Sequence, residues 1–218
     1  IPRLCGERQW PTSATLDEEP AYLDARFIHH GSQTTPAAWA AIQAQCAQRN
    51  VSVTSLLLTL YGLALARYAT SNHFVLNVLY TMRHPVHAHV RRVVGNFSSS
   101  ILFEFDARGG EGLPRHAGEH AETETRTLAD IVVQTLDQLW SDLEHCCADG
   151  ISVMQELNQQ NGQPFQAVAP FAFVSTIGLS LSEGDDETAD TGAAFRACRA
   201  AQVFSCVQTP QTLIDHQV

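Results

Sequence analysis

Residues 53–68 constrain the fold of this chain more than any other segment. Ser52 is a helix N-cap, and the helix behind it is apolar nearly all round. A helix of that kind must be buried between layers of other structure. Its longest apolar run, 53–66, is too short to span a bilayer and includes Thr54, Ser55, Thr59 and Tyr61. The chain therefore needs a sheet and further helices to cover it.

The rest of the sequence supplies them. Thr35-Pro36 starts a helix, with Trp39, Ile42 and Cys46 at helical spacing and Asn50 closing it. Residues 22–30, 74–80 and 97–105 read as strands, the last with Ile101, Phe103 and Phe105 on one face. Residues 84–92 read as loop and short helix, and 107–120 as loop. Residues 121–147 read as a long amphipathic helix burying Leu128, Ile131, Val132, Leu136, Leu139, Trp140 and Leu143. A helix over 152–160, a strand over 170–181, a hairpin loop over 184–192 and a partner strand over 201–207 complete the reading. Residues 1–20, with Pro2, Pro11 and Pro20, read as a linker or crossover arm, leaving 21–218 as the folded unit. Strands and helices mix without strict alternation. The fold class is α/β, a mixed β-sheet flanked by helices.

Charge and cysteine usage narrow the function. The net charge of −10 argues against a nucleic-acid surface, which needs clustered Lys and Arg. Acidic residues gather around 119–144 and 183–190, as solvated faces do. The six cysteines include no C-x-x-C pair, so neither a disulfide framework nor a zinc site is indicated. Free thiols and the absence of a visible signal peptide point to a cytoplasmic protein. His84, His87 and His89 cluster around Pro85 in a loop, and His116 and His120 flank Glu119. Neither group has the convergent ligands and second shell of a metal centre. No phosphate loop, dinucleotide fingerprint or nucleophile elbow is present.

Four segments carry candidate chemistry. The last is Gln208-Thr209-Pro210-Gln211-Thr212-Leu213-Ile214-Asp215. Pro210 restrains its neighbours, Thr209 and Gln211 offer a hydroxyl and an amide, and the aliphatic pair anchors Asp215 near a core. A carboxylate placed that way can handle protons. Asn77 sits inside the apolar run 74–80, either as structural glue or as a site residue, because a buried amide must be hydrogen-bonded. In Val94-Gly95-Asn96-Phe97-Ser98, Gly95 permits a turn and Ser98 either lines a cleft or satisfies backbone groups. In Pro170-Phe171-Ala172-Phe173-Val174-Ser175-Thr176, hydroxyls follow a buried strand. If the strand runs on, Thr176 shares a face with Val174 and Ser175 does not.

These segments resemble, in order, motifs of the heterocyclization domains of nonribosomal peptide synthetases. The terminal Gln-Thr-Pro-Gln and Asp215 match that family's last motif. Residues 170–175 resemble Pro-Val-Val-Phe-Thr-Ser, with Val174 where the family has Thr. Residues 95–98 resemble Gly-Asp-Phe-Thr, with Asn96 and Ser98 in place of Asp and Thr. Asn77 matches an Asn linked to activity.

The resemblance implies a lobe like chloramphenicol acetyltransferase, with a second lobe facing it across a tunnel. This chain would be the C-terminal lobe, and the N-terminal lobe with its Asp-x-x-x-x-Asp motif is not found in it. The implied activity joins carrier-bound acyl and Cys, Ser or Thr thioesters, then cyclodehydrates the product to a thiazoline or oxazoline. Asp215 would move protons and Asn77 would orient the intermediate. Ser175 and Thr176 would supply catalytic hydroxyls, and Ser98, Thr209 and Gln211 would contact substrate. The substrates would arrive on phosphopantetheine arms of peptidyl or aryl carrier proteins, with no metal or nucleotide in the domain itself. Overall likeness points to a siderophore synthetase of the yersiniabactin type. Val174 and Asn96 leave two other readings open: a non-catalytic carrier-docking lobe, and an amide-forming condensation lobe without cyclization. The 218-residue chain alone is predicted to fold without turnover. Amide or ring product formed by the purified chain, read by mass spectrometry, would overturn the split-lobe expectation.

Overall fold

The computed structural model describes residues 28–81, 83, 85–113, 125–162, 167–177 and 212–218. They form four α-helices and one four-stranded sheet, with a short 3-10 helix at Val90–Arg92. In chain order these are α1 (Pro36–Gln48), α2 (Val53–Ala66), β1 (His73–Thr81), β2 (Ser98–Asp106), α3 (Leu128–Glu144), α4 (Gly150–Gln160), β3 (Phe171–Val174) and β4 (Ile214–Gln217). The mixed sheet flanked by helices matches the fold class expected from the sequence.

The local signals explain the first half. Thr35 accepts a hydrogen bond from the Ala38 N–H and Pro36 opens α1. Asn50 ends it at φ 55°, a left-handed position that asparagine tolerates. Ser52 caps α2 by accepting from the Ser55 N–H. The two helices meet at 102°, and no single helix among the described residues is long and apolar enough to cross a membrane.

The sheet order is β2-β1-β3-β4. β1 pairs with β2 antiparallel over their full lengths, and with β3 in parallel. β3 also pairs with β4 in parallel. Alternation puts Phe74, Leu76 and Val78 of β1 beside Ile101, Phe103 and Phe105 of β2 on the core face, all buried. Phe171 and Phe173 continue that face into β3, and Leu58, Tyr61 and Leu65 of α2 cover it. Close packing needs glycine at two points. A Cβ on Gly62 would overlap the Phe105 ring, and one on Gly150 would stand 2.7 Å from Ser100 Oγ.

Several expectations change. Residues 28–30 are not a strand, and 22–27, like the arm 1–20, lie outside the described residues. The long helix starts at Leu128, not 121, because Thr127 and Asp130 form a capping box: the Asp130 N–H donates to Thr127 Oγ1, and the Thr127 N–H donates to Asp130 Oδ2. Its buried side is Ile131, Val132 and Thr135, whereas Leu128 and Trp140 are exposed. Gly95 does not take a positive φ. Asn96 makes that turn instead, its Oδ1 accepting from the Ser98 N–H at 2.9 Å. β3 stops at Val174, and β1 and β4 lie parallel on its two edges. Residues 184–192 and 201–207 lie outside the described residues.

The capping box is testable. Thr127→Ala leaves the first turn of α3 without its cap and is expected to cost about 1 kcal/mol, measured by denaturant unfolding. An unchanged midpoint would show that α3 is held by packing alone.

Candidate functional site

β3 sets the geometry of the site. Its register pairs Ala172 with Asn77 on one side and with Asp215 on the other. Residues paired this way share a face, so Asn77, Ala172 and Asp215 stand in one row across three strands. Two strand spacings separate the outer pair by roughly 10 Å between Cα atoms. The row lies on the face opposite Phe171 and Phe173. Leu79, Val174 and Gln217 form the next row along the same face.

Asn77 and Asp215 share a further property. Asn77 Oδ1 and Asp215 Oδ1 are both buried and accept no hydrogen bond. Such atoms are rare, because leaving a buried polar group unpaired is costly. Asp215 Oδ2 is engaged, accepting from Gln217 Nε2 at 2.9 Å. Ala172, whose side chain is a single methyl, stands between Asn77 and Asp215 in the row. The arrangement offers one amide and one carboxylate to whatever sits over that row.

The core face of β4 is built differently. His216 points away from Asp215 and stacks on Tyr61 of α2, with ring centroids 4.8 Å apart and planes 11° from parallel. Phe173 lies 5.7 Å from His216 and 6.0 Å from Tyr61, so the three rings form a cluster. Burial pushes the His216 imidazole below its usual range, while the nearby Asp215 charge opposes that shift. Burial, with the Asp215 charge adding to it, pushes the Tyr61 hydroxyl upward. That hydroxyl lies 3.5 Å from the Ile214 carbonyl oxygen.

The hydroxyls named from the sequence stand apart from the Asn77–Asp215 row. Ser175 shares a 3.2 Å hydrogen bond with Thr54 at the start of α2. Thr176 lies beyond the end of β3 and is exposed. Its hydroxyl donates to the Val218 carbonyl at 3.0 Å, and its N–H to the same oxygen at 2.8 Å. Ser98 begins β2, exposed, 3.2 Å from the Thr81 hydroxyl. All three sit at the end of the sheet where β1, β3 and β4 terminate. Thr209 and Gln211 lie outside the described residues, as do His84, His116 and His120.

Sequence reasoning did not single out Gln217 or Ala172. Gln217 was detectable, since two residues along a strand restores the face of Asp215. Ala172 was not, because parallel register leaves no mark in a single sequence. Among the described residues no three metal-ligating side chains converge. A concavity of about 590 Å³ follows the outer face of α3, along Val133, Asp137 and Ser141, and none of the residues above lines it.

No family model matches the chain. Over 158 residues it is 32% identical to the phenyloxazoline synthase MbtB of Mycobacterium sp. (strain MCS), a match covering 72% of this chain and 11% of that protein. It is 27% identical over 204 residues to the pyochelin synthetase PchF of Pseudomonas aeruginosa, covering 93% of this chain and 10% of the relative. The chain thus spans about a tenth of the length of these curated relatives. Among solved structures, the EpoB NRPS cyclization-docking bidomain from Sorangium cellulosum superposes with a TM-score of 0.66 at 23% identity, over 92% of this chain and 36% of that one. That likeness is one of fold.

The His216 stack has a pH signature. The unfolded imidazole titrates near ~6.5 and the folded one lower, so the unfolded chain binds more protons as pH falls through that window. The contribution of neutral His216 is present above the unfolded value and is lost below it. Relative to His216→Phe, which keeps the stack without the titration, the parent is expected to lose stability between about pH 7.5 and about pH 5.5. Denaturant unfolding across that range checks this, and a constant gap between the two proteins would remove His216 from the pH response.

Proposed function

The chain belongs to the family of cyclization and condensation domains of nonribosomal peptide synthetases, and on that premise we propose that the Asn77–Asp215 row serves heterocyclization. The single observation carrying this reading is the pair of buried, unpartnered oxygens, Asn77 Oδ1 and Asp215 Oδ1, on one face of the sheet. A phenyloxazoline synthase among the relatives supports ring formation as the outcome.

The proposed chemistry has two stages. In the first, the amine of a carrier-bound Cys, Ser or Thr attacks an acyl thioester. A C–N bond forms, the C–S bond breaks, and the carrier thiol leaves with the amine proton. In the second, the side-chain thiol or hydroxyl adds to the new amide carbonyl, and its proton passes to the carbonyl oxygen. The N–H proton then passes to that hydroxyl, which leaves as water, and C=N forms. Both transfers in the second stage can run through one carboxylate oxygen, which ends as it began. Asp215 Oδ1 is that oxygen in this reading, and the Asn77 amide orients the adduct across the Ala172 methyl. Both substrates ride phosphopantetheine arms of carrier proteins, and the domain itself contributes no metal or nucleotide.

The reacting assembly is the larger synthetase, with adjacent domains and a facing lobe as partners. Val174, which carries no hydroxyl in the row beside Ala172, favours a second reading in which the domain forms the amide and does not close the ring.

Asp215→Asn in the synthetase separates these readings. The variant keeps shape and cannot accept a proton. Amide formation is expected to persist, while ring closure slows by roughly a hundred- to ten-thousandfold and uncyclized product accumulates on the carrier protein, read by mass spectrometry. Ring closure at the parent rate would make Asp215 structural. Loss of both stages in a folded variant would assign it to condensation or binding.

A further inference from the structure

We propose that Gln217 is a positioning residue that holds one oxygen of Asp215 and leaves the other, Oδ1, as the only one free to exchange protons. This rests on the reading of Asp215 given above and adds a residue that the terminal motif does not contain.

A free carboxylate presents two equivalent oxygens and rotates about its Cβ–Cγ bond, a broad, roughly two-fold torsion. Proton transfer through a single fixed atom needs that equivalence broken. The structure breaks it with one contact. Gln217 Nε2 donates to Asp215 Oδ2 at 2.9 Å. Both side chains leave β4 on the same face, two residues apart, so the strand itself sets their spacing. The carboxylate cannot turn without losing a hydrogen bond to a charged acceptor, a stronger bond than one between neutral groups.

The opposite face of the strand limits the other source of freedom. Among the described residues β4 is a four-residue strand paired on one side only, and could twist. His216 stacks on Tyr61 of α2, and Phe173 of β3 packs against both rings, which ties the far face of β4 to its neighbours and limits its rotation. With backbone and carboxylate plane both held, Oδ1 is directed onto the row shared with Ala172 and Asn77. It is buried there without a partner, whereas Oδ2 is spoken for.

Gln217 is exposed, so its replacement should not disturb the core. Gln217→Met keeps an unbranched side chain of similar length and removes the donor. Gln217→Lys restores a donor of comparable reach. In the synthetase, with carrier-bound substrates and mass-spectrometric readout of each stage, Gln217→Met is expected to slow ring closure roughly ten- to hundredfold, the effect of losing one hydrogen bond to a charged group. Amide formation and the melting temperature should stay at parent values, and Gln217→Lys should recover ring closure. In an Asp215→Asn background, Gln217→Met should add no further loss.

Five results would overturn the proposal, four read on Gln217 and one on Asp215. Ring closure by Gln217→Met at the parent rate would make the contact idle. Equal slowing of both stages with a lowered melting temperature would make it structural. Slowing without recovery by Gln217→Lys would show that the donor is not what matters. An additive loss in the double variant would mean Gln217 acts independently of Asp215. The Asp215→Asn arm keeps the two levels apart. If that variant alone closes rings normally, the reading of Asp215 fails and takes this proposal with it. If it stalls while Gln217→Met does not, only the role of Gln217 falls.

Discussion

Parallel pairing on both edges of β3 is the constraint on which the described structure depends. Four residues join the long antiparallel pair β1–β2 to the last strand, over a hundred residues away in sequence from β1. Parallel strands are stable only where both faces are covered, and β3 is accordingly the most apolar strand of the sheet. Phe171 and Phe173 anchor it from the core side. On the other side it presents Ala172, the smallest side chain that still carries a Cβ. The strand thereby sets an amide from β1 and a carboxylate from β4 in one row, with a single methyl between them.

The two faces of β4 show how one short strand meets opposite electrostatic demands. Asp215 and Gln217 form a polar pair on one face, and His216 is stacked among aromatic rings on the other. A single peptide unit separates a carboxylate from an imidazole that burial keeps toward its neutral form. The charge of Asp215 reaches across the strand and raises the cost of ionising Tyr61. The stacked face packs against α2, and the polar face carries the row shared with Ala172 and Asn77.

Most of the local structure was legible in the sequence. Thr35-Pro36, Asn50 and Ser52 mark helix ends by mechanisms contained in one or two residues, and the alternation of β1 and β2 is plain. Misreadings arose where distant structure decides. Apolar residues alone suggested that α3 began near 121, but the hydrogen bonds between Thr127 and Asp130 set its start. Trp140 looked like core by spacing and is exposed, because the side of α3 that is buried carries Ile131, Val132 and Thr135. β3 looked longer because Ser175 and Thr176 can continue a strand. Their hydroxyls are drawn to Thr54 and Val218, and the strand ends. At the site, Asp215 and Asn77 could be named from their neighbours. Their sharing a row could not, since it depends on a register that only the folded sheet defines.

Gly62 leads to a different conclusion. Its missing side chain lets α2 lie directly on the Phe105 ring, so the height of that helix above the sheet is set by a hydrogen atom. The same helix touches Ser175 through Thr54 at its first turn and His216 through Tyr61 two turns later. It lies on the core face through Leu58, Tyr61 and Leu65, comes closest at Gly62, and is braced against the ends of two strands. A methyl group at that point would tilt the helix, and the displacement would reach β3 and β4 from beneath. A lineage that lost this glycine would show a failing domain in which every residue of the Asn77–Asp215 row was still present, and inspection of that row alone would find no cause.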